Sequence, residues 1–442
     1  MKELKAKIRS VIKHIFGESI FIAYHTLLAN LATVYYGNPS QKMYVVAVTG
    51  TKGKTSTLNF LWHVLTLGGY KVGLISTANI RIGNTEIMNW YHMTMPGRFL
   101  LQKLMRRMYK EECDIVLVEV TSEGIKMGRL SGLAYDVAVF TNLHPEHLQS
   151  HGNSFEKYRA EKAKLFSGLI KQPRKNILGK EQEKVSIINV DNPEGNFFLN
   201  FPADKKYTYG VEVGEFRIEN ILENPGGVSF SVNNDNFEIP ILGKFNIYNA
   251  MPAVLLAKHL DIEPKKVIAG VKNCALIPGR MEIINEGQKY TCIVDYAHEG
   301  VSFREALIAA RSAKKTTANK VVAVFGGEGG GRDISKREKM SRVAADLADY
   351  AIVTLSDPFD TDPKEINRDI MNWLEKYGFE EGKTAWEFID RRVAIRKALD
   401  LVQEGDVILF ASKGSEQSIV FKDRVEKWDD RQEVRKALRE RL

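Results

Sequence analysis

Residues 44–67 constrain this chain more than any other stretch. Val45-Val46-Ala47-Val48-Thr49 is an unbroken apolar run, and Gly50-Thr51-Lys52-Gly53-Lys54-Thr55 follows without a gap. Ser56–Leu67 then carries Leu58, Leu61 and Leu65 at helical spacing. A strand that enters a glycine-rich turn and leaves as a helix lets backbone N–H groups turn onto phosphate oxygens, while the helix dipole favours the anion. Lys54 adds a mobile positive charge for the terminal phosphates, and the Thr55 hydroxyl is placed to ligate Mg2+. The general G-x-x-x-x-G-K-[ST] pattern asks for glycine at position 48, where Val48 stands. Strand and helix agree on both sides of the turn, which argues against a chance match. A nucleoside triphosphate site is expected at Gly50, Thr51, Lys52, Gly53, Lys54, Thr55 and Ser56.

Short apolar runs alternate with helical stretches on both sides of a marked boundary. Strands are expected at Tyr44–Thr49, Val72–Ser76, Asp114–Val120, Asp136–Thr141 and Val185–Val190, with helices starting near Lys54, Gly97 and Ser154. Residues 205–242 are richer in strand signals and turns. After Pro278-Gly279 a second series runs Thr291–Asp295, Lys320–Phe325, Tyr350–Thr354 and Val407–Ala411. Alternation of this kind implies mostly parallel sheets covered on both faces. The expected class is α/β: a phosphate-loop central domain over 44–277 and a smaller Rossmann-like domain over 278–442. A short helical segment, 1–43, precedes them. Asp429–Leu442 reads as a charged, solvated helix.

The 442 residues exceed one ordinary core, in keeping with two or three domains. A net charge of +8 suits phosphate-rich small substrates, nucleic acid or an anionic surface, or is simply a basic exterior. No Lys/Arg block interleaved with aromatics appears, so nucleic acid is not an expected partner. Cys113, Cys274 and Cys292 form no C-x-x-C pair; they read as core residues in a reducing cytoplasm. Residues 1–16 are basic with a helical period, and 19–36 are apolar but carry His25 and Asn30. No small-residue cleavage site follows, and polar groups interrupt the run. The bland reading is an amphipathic helix pair packed on the body; the sharper one is peripheral contact of residues 1–36 with the inner face of a membrane.

From residue 44 to 420 the motifs resemble the Mur ligase family, which joins amino acids to cell-wall precursors. The loop G-T-x-G-K-T is that family's shortened form. Further matches are Glu119-Val120-Thr121-Ser122, Phe140-Thr141-Asn142-Leu143 with His147-Leu148 and His151-Gly152, and Tyr158-Arg159-Ala160-Glu161-Lys162. Gly243-Lys244-Phe245-Asn246 with Asn249-Ala250 follows, then Gly279-Arg280-Met281-Glu282, Asp295-Tyr296-Ala297-His298, Arg332-Asp333 and Lys413-Gly414 with Glu416. The branch most similar adds the third amino acid to UDP-MurNAc-dipeptide. The resemblance implies peptidoglycan biosynthesis in the cytoplasm by a monomer. ATP would phosphorylate a carboxylate, and an amine would displace phosphate from the acyl phosphate. It implies catalytic roles for Lys54, Glu119, His147 and Lys162, with Thr55, Glu119, His147 and a carbamylated Lys162 holding Mg2+. Taken singly, Glu119 reads as a strand-end carboxylate, His147 as a capping or core histidine and Lys162 as a solvated helix lysine. Asn246, Asn249, Arg280, Asp295 and His298 are the implied nucleotide contacts. Thr94, Ser122, Arg332, Asp357, Lys413 and Glu416 are the implied substrate contacts.

Three departures bear on substrate. Only 43 residues precede Tyr44, where family members carry a UDP-binding domain. The amino-acid selecting motif Asp-Asn-Pro-Arg of diaminopimelate enzymes reads Ser356-Asp357-Pro358-Phe359, which removes the cation and leaves Asp357 or Asp360 to meet an amine. The family's Gly-His-Glu reads Gly414-Ser415-Glu416, and Glu123 stands where a histidine is usual. Lipid-linked, folate and polypeptide acceptors therefore stay open, as does a nucleotide-binding scaffold without turnover.

Overall fold

The computed structural model describes residues 20, 22–83, 85–89, 94–146 and 148–441. The chain divides into two compact units, one of Met1–Glu219, Val232–Asp235 and Tyr248–Val271, the other of Asn220–Ser231, Asn236–Ile247 and Lys272–Leu442. Expectations for residues 1–16 and for His147 fall outside the described residues.

The first unit opens with helix α1 (22–35), then β1 (Tyr44–Thr49), α2 (Lys54–Leu67), β2 (Val72–Ile75), β3 (Asn79–Ile82) and β4 (Thr85–Met88). Next come α3 (Arg98–Lys110), β5 (Ile115–Glu119), α4 (Ser122–Lys126), β6 (Val137–Phe140) and α5 (Phe155–Ser167). A small hairpin of β7 (Asn176–Ile177) and β8 (Lys180–Glu181) leads to β9 (Val185–Asn189), α6 (Gly195–Leu199), β10 (Lys205–Gly210) and β11 (Phe216–Arg217). One sheet takes nine of these strands in the order β11-β10-β9-β6-β1-β5-β2-β3-β4. Pairing is parallel from β11 to β2, and β2, β3 and β4 are antiparallel. Strands β1, β5, β6 and β9 are buried along their whole length. Helices cover both faces of such a sheet, so these strands read as continuous Val/Ile/Leu runs rather than alternating ones. Register sets Val48 beside Glu119 and Thr49 beside Phe140, so the loops after β1, β5 and β6 leave from one edge.

A three-stranded sheet of β12 (Glu219–Asn224), β13 (Gly227–Val232) and β14 (Asp235–Ile239) follows, and then α7 (Phe245–His259) and α8 (Pro264–Asn273). The last series is β15 (Glu282–Ile284), β16 (Thr291–Val294), α9 (Gly300–Ser312), β17 (Val321–Gly327), α10 (Ser335–Leu347) and β18 (Tyr350–Leu355). It ends with α11 (Pro363–Lys376), β19 (Ala385–Glu387), α12 (Arg391–Asp400), β20 (Val407–Phe410), a hairpin of β21 (Ser418–Val420) and β22 (Val425–Lys427), and α13 (Asp430–Arg439). Its sheet runs β15-β16-β20-β17-β18-β19, parallel except for β15. The expected α/β class and both alternating series are present. All three cysteines are buried and free.

The last helix is not the solvated one expected. Val434, Ala437 and Leu438, spaced at three and four residues, are buried in the core of the second unit. At its start Asp430 is fully buried and accepts from Arg391 Nε at 2.7 Å and Nη2 at 2.6 Å.

A second buried charge group lies at the opposite edge of the first sheet from the glycine turn. Asp136, just before β6, accepts from Val45 N at 2.9 Å, Lys175 Nζ at 2.5 Å and Lys184 Nζ at 2.9 Å. Lys175 also donates to Met43 O and Ala134 O, and Lys184 to Tyr135 O and Pro173 O. All three side chains are excluded from water. Removing the shared carboxylate strands two ammonium groups, so Asp136→Asn is expected to lower unfolding free energy by about 3–5 kcal/mol in urea titration. A loss below about 1 kcal/mol would contradict that. Burial pushes the Lys175 ammonium from 10.5 down to about 8, against the raising pull of Asp136. Between those values the unfolded chain binds a proton the folded chain has released, so stability rises with pH across that window. Lys175→Met is expected to flatten the rise, read as unfolding free energy against pH for both proteins.

Candidate functional site

The turn after β1 is built from backbone that only glycine tolerates well. Gly50 has φ +152° and Gly53 φ +79°. A Cβ on Gly53 would lie 2.1 Å from Asn249 Oδ1, so glycine is required by both conformation and space. Gly53 is also the N-cap of α2, and no side chain caps that end. The first N–H groups of α2 have no intrahelical acceptor, and a helix start with this shape suits an anion. Neighbouring loops hold the turn in place. Thr51 N donates to Asn142 O and Lys52 N to Asn142 Oδ1, both at 2.9 Å, and Thr141 Oγ1 donates to Lys52 O at 2.7 Å. Thr51 Oγ1 lies 3.1 Å from the Tyr158 hydroxyl. Lys52 Nζ pairs with Glu146 at 2.9 Å.

Two lysines converge on this turn. Lys54 Nζ donates to Gly50 O at 3.1 Å and Thr51 O at 2.9 Å. Lys162 Nζ, from α5, donates to the same Gly50 O at 2.8 Å. Lys162 is 2% exposed, so it is no ordinary solvated helix lysine. Burial, then the neighbouring Lys54, hold its ammonium well below the usual range, and Glu146 and Glu119 pull the other way. Tyr158, one turn earlier, puts its ring 4.7 Å from Lys162 Nζ.

Glu119 closes the group. Its Oε2 accepts from Thr55 Oγ1 at 2.9 Å, Thr77 N at 2.8 Å and Thr77 Oγ1 at 3.0 Å. Thr94 Oγ1 lies 2.9 Å from Thr77 Oγ1. Thr55, Glu119 and Thr94 are thereby linked, and Ser56 is buried in the first turn of α2. Ser122 Oγ lies 3.1 Å from His151 Nε2. Thr77 and Glu146 are site residues that no motif singled out, marked only by their position after neighbouring strands, and Asn142 stood in a matched motif without an assigned role.

The residues fit a triphosphate with a divalent ion. Hard oxygens of Thr55 and Glu119 stand together, as Mg2+ prefers. Among the described residues no three His, Cys, Asp or Glu side chains meet to hold an ion. Asn249 reaches the turn at Gly53, and Asn246 Nδ2 donates to Leu242 O at 2.8 Å.

A second cluster sits within the other unit, at the ends of β16, β17, β18 and β20. Lys413 Nζ is fully buried, 3.0 Å from both Asp357 oxygens and 2.6 Å from Glu416. Glu416, Asp357 and burial raise and lower its charge stability in opposition, and the carboxylates prevail. Asp357 Oδ1 also accepts from Val420 N. Its carboxylate therefore pairs with a cation of the chain itself, and Asp360 is exposed. Phe359 takes φ +51° with its N–H on Val420 O, and the Arg332 guanidinium lies 5.3 Å from its ring centre. Arg280 stacks over Tyr296 at 4.2 Å. Asp295 accepts from Met281 N and Ala297 N, both at 2.8 Å. His298 Nδ1 contacts Tyr296 O, and its ring lines a small cleft with Glu328, Lys336 and Arg337.

Comparison with known proteins agrees with this geometry. A Mur ligase middle domain model matches residues 48–257, and a Mur ligase glutamate ligase domain model matches 279–414. A UDP-N-acetylmuramoyl-L-alanyl-D-glutamate–2,6-diaminopimelate ligase of Geobacillus thermodenitrificans is 35% identical, over 94% of this chain and 82% of that one. A UDP-N-acetylmuramyl-tripeptide synthetase of Roseiflexus is 33% identical, over 93% and 82%. A solved diaminopimelate ligase structure superposes with a TM-score of 0.60 at 27% identity, covering 90% of this chain and 79% of the other. The folylpolyglutamate synthase of Mycobacterium tuberculosis, solved with ADP, shares the fold at TM-score 0.69 and 16% identity, over 88% and 91%. With a glycine turn, two converging lysines and relatives matched along nearly the whole chain, this protein belongs to the Mur ligase family.

Proposed function

We propose that the protein is an ATP-dependent ligase that forms an amide between an amino acid and a carboxylate of a muramoyl-peptide wall precursor, through an acyl phosphate, releasing ADP and phosphate. The observation that carries this reading is the meeting of Lys54, Thr55, Glu119 and Lys162 around the Gly50–Gly53 turn. When bound, ATP supplies the phosphoryl group and Mg2+ neutralises its charge. The turn and the start of α2 bind the phosphates, Lys54 follows the terminal one, and Thr55 with Glu119 gives oxygens to the ion. His147 is the further metal ligand in this reading. Asn246, Asn249, Arg280, Asp295 and His298 serve the nucleotide. Thr94 and Ser122 serve the acceptor, and Arg332, Asp357, Lys413 and Glu416 the incoming amino acid. Residues 44–277 and 278–442 act as the two catalytic domains of a monomer working in the cytoplasm, with 1–36 directed toward the membrane.

Lys162 acts as a carbamate in this scheme. A lysine adds CO2 only through its neutral amine, and burial beside Lys54 favours that form. The product is an anion where two cations had met. Protein equilibrated with 13C-bicarbonate is expected to show a carbamate carbon resonance that Lys162→Gln lacks; an identical spectrum from both proteins would rule the modification out.

The activity test is phosphate release from ATP with an amino-acid panel against UDP-MurNAc-dipeptide, lipid-linked, folate and polypeptide acceptors. Release is expected only with an acceptor and an amino acid together, strongest with the UDP-linked peptide, and Lys54→Ala is expected to lower kcat about 100-fold or more. Nucleotide binding without release in any combination would leave the scaffold reading standing instead.

A further inference from the structure

Helix α1 is built inside out. Large apolar side chains at Ile20, Tyr24, Leu27, Leu31 and Val34 repeat every three or four residues along one face, and each is more than half exposed. Tyr35 beside them is 77% exposed. On the opposite face His25, Ala29, Ala32 and Thr33 are buried, and Thr33 Oγ1 donates to Ala29 O and lies 3.3 Å from Gly132 O. A Cβ on Gly132 would lie 2.0 Å from Thr33 Oγ1, so the helix backbone approaches the body closely. Six of the nineteen exposed large hydrophobic residues among the described ones thus fall within residues 20–35, and the rest are scattered. A contiguous patch of this kind on a water-facing surface marks an interface, whereas single exposed leucines do not.

The charge pattern says what the interface meets. From Ser19 to Gln41 there is no Asp, Glu, Lys or Arg. A protein partner read along a helical seam is usually specified by charged residues flanking the apolar stripe, and here that element is absent from the helix. Basic charge instead surrounds it. The preceding residues hold Lys2, Lys5, Lys7, Arg9 and Lys13 against Glu3 and Glu18. At the other end Arg106 lies beside Gly37, Lys42 stacks on Tyr109 at 4.9 Å, and Lys103, Arg107 and Lys110 are exposed along α3, against Glu111 and Glu112. No helix among the described residues is long and apolar enough to cross a bilayer. Exposed apolar area, tyrosines at its margin and neighbouring cations are the requirements for lying on an anionic lipid surface.

We propose that the Ile20–Tyr35 face of α1 docks this ligase onto an anionic lipid bilayer. The apolar side chains enter the boundary between headgroup and acyl chain, and the basic residues on either side hold the headgroups. This inference is independent of the ligase reading, because it concerns a surface that contributes no residue to either cluster of the candidate site.

The test is co-sedimentation of the full chain with phosphatidylglycerol-rich vesicles and with phosphatidylcholine vesicles. Binding is expected to the anionic vesicles, to weaken as salt is raised, and to be much poorer on the zwitterionic ones. The double variant Leu27→Asp/Leu31→Asp is expected to lower the partition coefficient about tenfold or more. Both positions face water, so its melting temperature should match the wild type, which separates lost docking from lost folding. No binding to anionic vesicles, or equal binding by the variant, would overturn the proposal. So would a concentration-dependent dimer that the variant dissolves while neither protein binds lipid, since the face would then belong to a second copy.

Discussion

Two ammonium groups meet at one carbonyl oxygen, and the first unit is organised around that fact. Gly50 O accepts from Lys54 and from Lys162. Burial first, and then the like charge of Lys54, hold the Lys162 ammonium well below its usual range. Its buried position is enforced from several sides. The strand β1 carries Gly50 to the sheet edge, α5 delivers Lys162, and Tyr158 on the same helical face is bonded to Thr51. Glu119 arrives from the neighbouring strand and Glu146 from the loop after β6, each pulling the lysine charge the other way. Such a place gains stability from an added anion. A phosphate group or a carboxylated lysine satisfies the same electrostatic demand.

The second unit solves a related problem with one arginine. Arg391 is fully buried, bonded to both oxygens of Asp430, and its remaining donors reach Leu355 O and Ala411 O. Those carbonyls close β18 and lie just beyond β20. Two residues farther along each loop, Asp357 and Lys413 form their own buried pair. The guanidinium therefore ties together the roots of the two loops whose tips carry the proposed amino-acid contacts. Trp428 Nε1 also donates to Asp430, which joins the C-terminal helix to the same network. Planar, multiply donating Arg suits a junction of two carbonyls and a carboxylate in a way a lysine cannot.

The parts legible in the sequence are those that leave a local pattern. Buried parallel strands write themselves as Val/Ile/Leu runs, and the phosphate turn is contiguous, so both alternating series and the Gly50–Thr55 turn could be read directly. Lys162 was marked only by the family resemblance, because taken singly it read as a solvated helix lysine, and the fold buries it. Pairings between distant segments leave no such pattern. Asp136 with Lys175 and Lys184, Arg391 with Asp430, and Thr77 on Glu119 are each assembled by the fold from positions that look unremarkable alone. The same limit hid the partner of Asp357, since Lys413 is 56 residues away, and misled the reading of Asp429–Leu442, where charged residues outnumber the three apolar ones that pack.

The departures from the family's motifs do not fall at random. The phosphate turn, Glu119 and Lys162 match the family's motifs in residue type and meet around Gly50 and Thr55. The changed positions lie elsewhere. Glu123 accepts from Ser150 Oγ at 2.7 Å on the surface after β5, Ser415 gives its carbonyl to Gln417, and Phe359 replaces a cation within a turn pinned by Val420. Phosphoryl chemistry depends on charge neutralisation at one fixed point, which tolerates little change. Selection of the joined molecules depends on which groups line the loops, and one aromatic ring in place of a guanidinium alters that without disturbing the sheet beneath. At the Phe359 turn the cation comes from Arg332, on the glycine-rich loop after β17, rather than from the turn itself. In the proposed reading, in which Arg332 serves the incoming amino acid, a cation on that loop would meet a carboxylate from a different direction, and the geometry of two loops instead of one would set the side chain selected.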